Sequence, residues 1–373
     1  MLPSRDHLFR TLVRPFVAVA FAGVSLAQGQ SIDLSTWQAI QYELNSQPDA
    51  NWALQPGNTA VLQTVNSDAS IFLSDFDAAG QEIRGTWRVE TTGDDDFMGF
   101  VFGYQGRGQY YLFDWKQTSQ SFSGLFAEQG MSLKILELPA GTDPTVNDLW
   151  PSTSTANVTV ALHNTIPWVD FVDYEFVLSF AAGTIEITVL EGTQVLEHWT
   201  LADSTYTSGN FGFYNYSQGE VLYQGFTQQS VATIYCTAKT NSQGCVPTLA
   251  TTGSASLSDP NPFDITAAML INNKNAVLFY SLDGRAATPF GGGLLCIEPP
   301  LLRVPLQNSS GSATGDDCTG ALSIDFNALL QSGGTPLVMA GDQVNAQFFY
   351  RDPQHPDGTG YGLTEAVEFV VLP

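Results

Sequence analysis

The sequence predicts an all-β protein: a two-sheet sandwich or jelly roll, followed by a second, smaller β-sandwich that bears disulfides. Three observations carry this expectation. Short alternating apolar runs recur along the chain with Gly, Asn, Asp and Pro clusters between them, the pattern of strands joined by turns. Aromatic residues make up 12% of the sequence and threonine is plentiful, side chains that suit a pleated, half-buried surface. Helix signals are scarce: glycine is abundant, Lys and Glu are few, and the first part of the chain has only a weak helical suggestion, near 144–149.

The chain opens with a segment set apart from the rest. Arg5, Arg10 and Arg14 precede an apolar run over 16–27 that ends in Ser25-Leu26-Ala27. A positive start, a short apolar run and a small-residue cleavage site read as a secretory signal peptide, so residues 1–27 are expected to be removed. The run is too short to cross a bilayer and no later segment is long and apolar enough, so an exported protein with no membrane span is expected. Removing the leader takes away three arginines and one aspartate, leaving 10 basic against 36 acidic residues. That balance argues against a nucleic-acid partner, which needs basic surface to neutralise phosphate. It suits divalent cations, or solubility in salty surroundings.

A mature length of about 346 residues points to two domains, and two residue types place the boundary. All seven tryptophans lie between Trp37 and Trp199, and all four cysteines between Cys236 and Cys318. The switch follows the polar Thr227-Gln228-Gln229-Ser230, which gives a first domain over 31–230 and a second over 231–373.

Within the first domain, strands are expected over 60–65, 85–90, 99–105, 110–116, 157–162, 173–180, 184–190, 194–200 and 210–216. The most informative stretch is TTGDDDFMGFVFGYQ over 91–105. Asp94, Asp95 and Asp96 repel one another unless water solvates them or a cation is held there. The apolar strand that begins at Phe97 fixes the loop before it, and a fixed loop of hard oxygen ligands is what a calcium ion needs. Taken alone, the triplet leaves two readings open, an acidic turn in water and a calcium loop.

In the second domain, strands are expected over 276–280, 321–326, 344–349 and 366–372. Four cysteines allow three pairings. Cys236 with Cys245 and Cys296 with Cys318 is the preferred pattern, because both loops are then local. Zinc competes weakly, since no CxxC pair occurs and no histidine lies between Cys236 and Cys318.

Other carboxylates point less sharply to chemistry. Asp75 and Asp77 before Gly80, and Asp352 and Asp357 in RDPQHPDGTG, could ligate ions but read first as solvated turns. Asp170, Asp173 and Glu175 cluster near Trp168, and an acid pair beside an aromatic would suit sugar hydrolysis. No E-x-D-x-x-E run of the jelly-roll glucanase kind accompanies them. Histidines are few after the leader (His163, His198 and His355), and none belongs to H-E-x-x-H. No G-x-S-x-G elbow or phosphate cradle occurs, so no catalytic residue and no organic cofactor are expected.

A set of motifs then stands in a familiar order: Trp37-Gln38, Asn51-Trp52, VLQTVNSD (61–68), RGTWRVETTGDDDFMGFVFGYQ (84–105), WKQ (115–117), Leu149-Trp150, Glu191-Gly192 and GNFGFYNYSQ (209–218). Together they resemble the C-terminal lectin-like domain of thrombospondins and cartilage oligomeric matrix protein, over roughly 31–230. The resemblance implies a concanavalin or L-type-lectin-like jelly roll with calcium held in its loops. Carried over residue by residue, it makes Asp94, Asp95 and Asp96 calcium ligands, with Asn66 and Asp68 as weaker neighbouring oxygens. The chain also departs from the family. The aspartate-rich calcium repeats that normally precede this domain are absent, Asn215 stands where the family looks to carry a cysteine, and the family's terminal cysteine has no equivalent here.

Three segments of the second domain, over 234–245, 272–296 and 344–353, resemble a C-terminal module of large exported proteins of planctomycete-type and myxobacterial-type bacteria. That module has no assigned activity. The expectation is therefore a secreted or cell-surface, non-enzymatic, calcium-binding adhesion or matrix-type protein that recognises an extracellular glycan or surface protein. The alternative is a carbohydrate-active enzyme or its accessory carbohydrate-binding module.

Overall fold

Alternation in the sequence becomes alternation in burial wherever a strand rests one face on a core. The computed structural model describes residues 30–181, 183–333, 335 and 338–373; the expected leader over 1–27 lies outside them. Strands Gln81–Val89 and Tyr174–Ala181 bury every second side chain. Both belong to an antiparallel sheet that runs, in spatial order, Gln194–Leu201, Thr184–Glu191, Tyr174–Ala181, Gln81–Val89, Val221–Ser230, Ala60–Gln63 and Trp52–Leu54, with Gln30–Ser31 beside Val221–Ser230.

A second antiparallel sheet faces it, in the order Val158–His163, Gly130–Glu137, Gln109–Lys116, Phe97–Gly106, Asn210–Tyr216, Ser70–Asp77 and Gln38–Gln41. Aromatic rings fill the space between the sheets. Phe100 of the second sheet lies 4.7 Å from Phe176 of the first, and Trp87 stacks on Phe176 at 4.9 Å. The second sheet is also covered on its other face. Tyr42, Leu149, Trp150 and the hairpin Gln120–Phe122 with Leu125–Ala127 pack there against Phe97, Val101, Tyr110 and Leu112. Burial on both faces explains why Phe97–Gly106 reads as a near-continuous apolar run. The weak helical suggestion corresponds to the short helix Val146–Leu149.

Residues after 232 build separate sheets around their own core. Strands Thr233–Tyr235, Tyr361–Val370, Gln343–Arg351, Asn275–Ser281 and Leu302–Arg303 form one sheet in that order, with Gln307–Asn308 also paired to Asn275–Ser281. Thr248–Thr252, Asp264–Leu270 and Gly320–Asp325 form another, and Arg285–Phe290 pairs with Gly293–Ile297 as a hairpin. Phe263, Tyr280, Phe326 and Phe369 meet in the core. The strand expected over 321–326 stops one residue early. Asp325 accepts the backbone N–H of Ala328 at 3.1 Å and starts the helix Phe326–Gln331, which the all-β reading missed.

The preferred disulfide pattern is corrected. Cys236 is bonded to Cys296 and Cys245 to Cys318, with sequence separations of 60 and 73 residues. Chain proximity misled because the segment between Cys236 and Cys245 follows a neighbouring strand before it turns at 241–245. It passes Tyr361–Val370, where the Lys239 N–H donates to the Leu363 carbonyl. Cys236, after Thr233–Tyr235, therefore meets the hairpin strand Gly293–Ile297, while Cys245 reaches the segment before Gly320–Asp325.

Candidate metal site between the two sheets

The acid triplet sits in the loop that carries the chain from Gln81–Val89 in the first sheet to Phe97–Gly106 in the second. Each strand is pinned by its own sheet, so the loop has little freedom. Its backbone is tied down at three points: Glu90 N–H to the Glu220 carbonyl at 2.7 Å, Gly93 N–H to Thr91 Oγ1 at 3.0 Å, and Asp96 N–H to Gln218 Oε1 at 3.1 Å. The Asp95 carbonyl accepts the Gln117 N–H at 3.2 Å. Asp94, Asp95 and Asp96 each offer a carboxylate oxygen within 4.8 Å of the others.

A second crossing loop, between Ala60–Gln63 and Ser70–Asp77, brings Asn66 and Asp68 to the same end. The Asn66 carboxamide contacts the Asp94 carboxylate directly. Asp68 goes elsewhere: it is buried, and its carboxylate accepts the backbone N–H groups of Leu44 at 3.1 Å and Asn45 at 3.2 Å. The structure thus gathers Asn66 with the triplet and turns Asp68 toward the neighbouring 44–45 turn.

Burial sets the electrostatics. Asp94 is pushed up to about 6, chiefly by burial and then by the Asp96 charge, with its hydrogen bond from the Asp95 N–H and the more distant Lys116 acting the other way. Burial also raises Asp96, against the opposing pull of Lys116 and a hydrogen bond from Ser217. Lys116 is completely buried and forms an ion pair with Asp96. A second buried pair, Lys134 with Asp114 at 2.6 Å, lies nearby, and both ammonium groups flank the Phe97 ring at 5.0 and 5.4 Å.

These residues fit a calcium ion. Clustered hard oxygens on a pinned, half-exposed loop match its preference for carboxylate and amide ligands in irregular geometry. A divalent charge there would relieve the repulsion that raises Asp94. The residues not foreseen are Lys116, Ser217 and Gln218. All three stand in the WKQ and YSQ motifs, but a sequence run gives no sign that a lysine will turn inward.

The other acids are engaged separately. Asp77 accepts the N–H groups of Ala79 at 2.8 Å and Gly209 at 2.9 Å, which makes it a turn residue. Asp173 faces Arg88 at 3.4 Å, Glu175 faces Arg84 at 3.6 Å, and Asp170 accepts from Gln117 at 3.4 Å. Trp168 is fully buried and offers no platform beside them. Asp352 is buried rather than solvated, accepting the Ser242 N–H at 2.7 Å, and Asp357 pairs with Lys239 at 2.6 Å. No helix among the described residues is long and apolar enough to cross a membrane.

Comparison with known proteins places this geometry in context. Residues 47–231 match the sequence family described as the thrombospondin C-terminal region. Thrombospondin-2 of Bos taurus is 34% identical over 191 residues, which cover 48% of this chain and 16% of that protein. The figures for thrombospondin-2 of Homo sapiens are the same. Thrombospondin-4-B of Danio rerio is 29% identical over 204 residues, covering 52% of this chain and 22% of that protein. The similarity therefore spans a small part of those relatives' length. Among solved structures, carbohydrate-binding module CBM66 from Bacillus subtilis overlaps at 10% identity and TM-score 0.36, covering 55% of this chain and 99% of that one. Lectin II from Ulex europaeus overlaps at 8% identity and TM-score 0.32, covering 51% of this chain and 98% of that one. These overlaps are too loose to bear on function.

Proposed function

We propose that residues 31–230, in which the thrombospondin-type segment lies, form a calcium-stabilised binding domain of an exported adhesion or matrix-type protein, and that residues 231–373 form a second module. The ligand would be an extracellular glycan or a surface protein, and the domain would perform no chemistry of its own. One observation carries this reading: Asp94, Asp95, Asp96 and Asn66 converge on a loop pinned between two sheets. An ion there would hold the loops at that end of the sandwich in shape for binding. Two disulfides suit an oxidising compartment outside the cell, in keeping with the expected leader. The resemblance of the C-terminal segments to a module of exported bacterial proteins would suit a bacterial, cell-exterior setting. An enzymatic role is disfavoured because Asp173 and Glu175, two of the acids near Trp168, are each engaged with a separate arginine.

The test is thermal melting with millimolar calcium and with chelator, beside a glycan array probed in calcium. A saturable rise in Tm with calcium, and calcium-dependent retention on defined glycans or on a surface protein, are expected. A chelator-insensitive Tm would remove the calcium reading, and release of sugar from any polysaccharide would restore the enzyme.

A further inference from the structure

Lysine is almost never fully buried unless it is paired, and Lys116 is fully buried at the back of the acid loop. Its ammonium meets the Asp96 carboxylate, Gln120 Oε1 at 3.1 Å and the Asp95 carbonyl at 3.3 Å. It also lies 5.0 Å from the Phe97 ring centroid and 5.1 Å from that of Trp150. Asp96 is satisfied from several sides: Lys116 and Ser217 bond its carboxylate, and its N–H donates to Gln218. The Asp95 carbonyl likewise has two donors, Lys116 and the Gln117 N–H. The carboxylates of Asp94 and Asp95 differ, since neither forms an ion pair with Lys, Arg or His among the described residues. Both are partly exposed, whereas Asp96 is only 4% exposed.

We propose that Lys116 is the resident cation of this loop and divides the triplet into a structural half and a ligand half. Asp96 stays with Lys116 whether or not a metal is present. A divalent ion is held by the carboxylates of Asp94 and Asp95 with the carboxamide oxygen of Asn66, and solvent completes its shell. The physical reason is that recruiting Asp96 to the ion would strip a buried ammonium of its counter-charge, a heavy penalty with no water to offset it. Calcium takes six to eight oxygens and tolerates water among them, so two carboxylates and an amide suffice to seat it. The Asn66 amide nitrogen faces Asp94 here, and a half-turn of the carboxamide presents its oxygen instead. This assignment rests on the calcium reading above and deepens it: the Lys116–Asp96 pair anchors the buried end of the loop, and neither residue touches the ion.

The experiment is a calcium titration followed by thermal melting, together with melting in chelator, for the wild-type full chain, D94N, D95N, D96N, K116M, K116R and the double variant D96N/K116M. D94N and D95N should each abolish the calcium-dependent rise while leaving the chelator Tm unchanged or higher. D96N and K116M should each lower the chelator Tm, and the double variant should lose clearly less than the sum of the two, the signature of a coupled pair. The double variant should also keep its calcium midpoint within about threefold of wild type, and K116R, which keeps the charge but puts a bulkier head into a closed site, should keep the wild-type calcium midpoint even where its chelator Tm falls. A midpoint weakened about tenfold or more in D96N/K116M would make Asp96 a ligand and overturn the division. Additive losses in chelator would overturn the pairing. If D96N and K116M fail to fold, D94N, D95N and K116R still decide, because a calcium response that survives D94N or D95N sinks the ligand half. A wild type without any calcium response ends the calcium reading itself, and the chelator series then judges the Lys116–Asp96 pair on its own.

Discussion

At Gly99 the chain has room for a hydrogen atom and nothing larger. A Cβ there would overlap the carbonyl oxygen of Phe113 and stand 3.0 Å from its carbonyl carbon, both rigid backbone of the neighbouring strand. Gly99 pairs with Asp114 in the ladder, so this close approach holds Phe97–Gly106 against Gln109–Lys116 just behind the acid loop. G99A is therefore expected to destabilise the fold by roughly 1–3 kcal/mol, as overpacking does in a close-packed interior. It should show as a lower urea midpoint with an unchanged m-value, and a G99A chain as stable as wild type would refute the packing argument. The same neighbourhood marks how far single residues could be read from sequence. Three adjacent aspartates stand out because like charges in a row need an explanation. Lys116 did not stand out, because part of its cover is the Trp150 ring, more than thirty residues away, and no local pattern encodes that cover.

Strands with one face on a core were readable as alternation, and the ranges expected over 173–180, 184–190 and 210–216 fall within a residue of Tyr174–Ala181, Thr184–Glu191 and Asn210–Tyr216. Three long strands were not read. Gly130–Glu137 carries Ser132 and Lys134 on a face that the structure buries, so its polar residues looked like a break in the pattern. Ser70–Asp77 ends in acids, and Val221–Ser230 contains the polar tetrad used to mark the boundary, although that tetrad pairs in register with Gln81–Arg84. The disulfides escaped for a related reason: sequence shows which cysteines are near in chain, whereas the sheets decide which are near in space. The observed Cys245–Cys318 bond spans 73 residues, and closing so long a loop removes chain entropy from the unfolded state worth about 4 kcal/mol in the chain-entropy account. C245S/C318S should therefore lower the unfolding free energy of the C-terminal sheets, extrapolated from a urea titration, by about that much. Calcium should still shift the melting of the first two sheets by the wild-type amount, because the acid loop shares no core residue with the cysteines. Loss of the calcium response in that variant would show that the two cores do not behave independently.

The whole molecule carries a formal charge of −24, and so large an excess of one sign disfavours a compact chain by self-repulsion. Any salt will relieve part of that cost, and calcium salts will do so whether or not a site exists. Raising sodium chloride in chelator from about 0.01 M, where the Debye length is about 30 Å, to about 0.15 M, where it is about 8 Å, should raise Tm. This rise should be gradual and should not saturate at low concentration. Calcium added at constant ionic strength should add a second rise that saturates, reaching about 2.7 kcal/mol of stabilisation when free calcium is about one hundred times its dissociation constant. Magnesium at the same ionic strength should do much less. It demands octahedral geometry at shorter distances and gives up its water reluctantly, whereas the Asp94 to Asp96 loop offers an irregular, partly solvated set of oxygens. If calcium, magnesium and sodium gave one curve when plotted against ionic strength, the response would be screening of the whole surface. The acid loop would then be a solvated turn anchored by Lys116, and the structure at that end of the sandwich would need no ion to hold it.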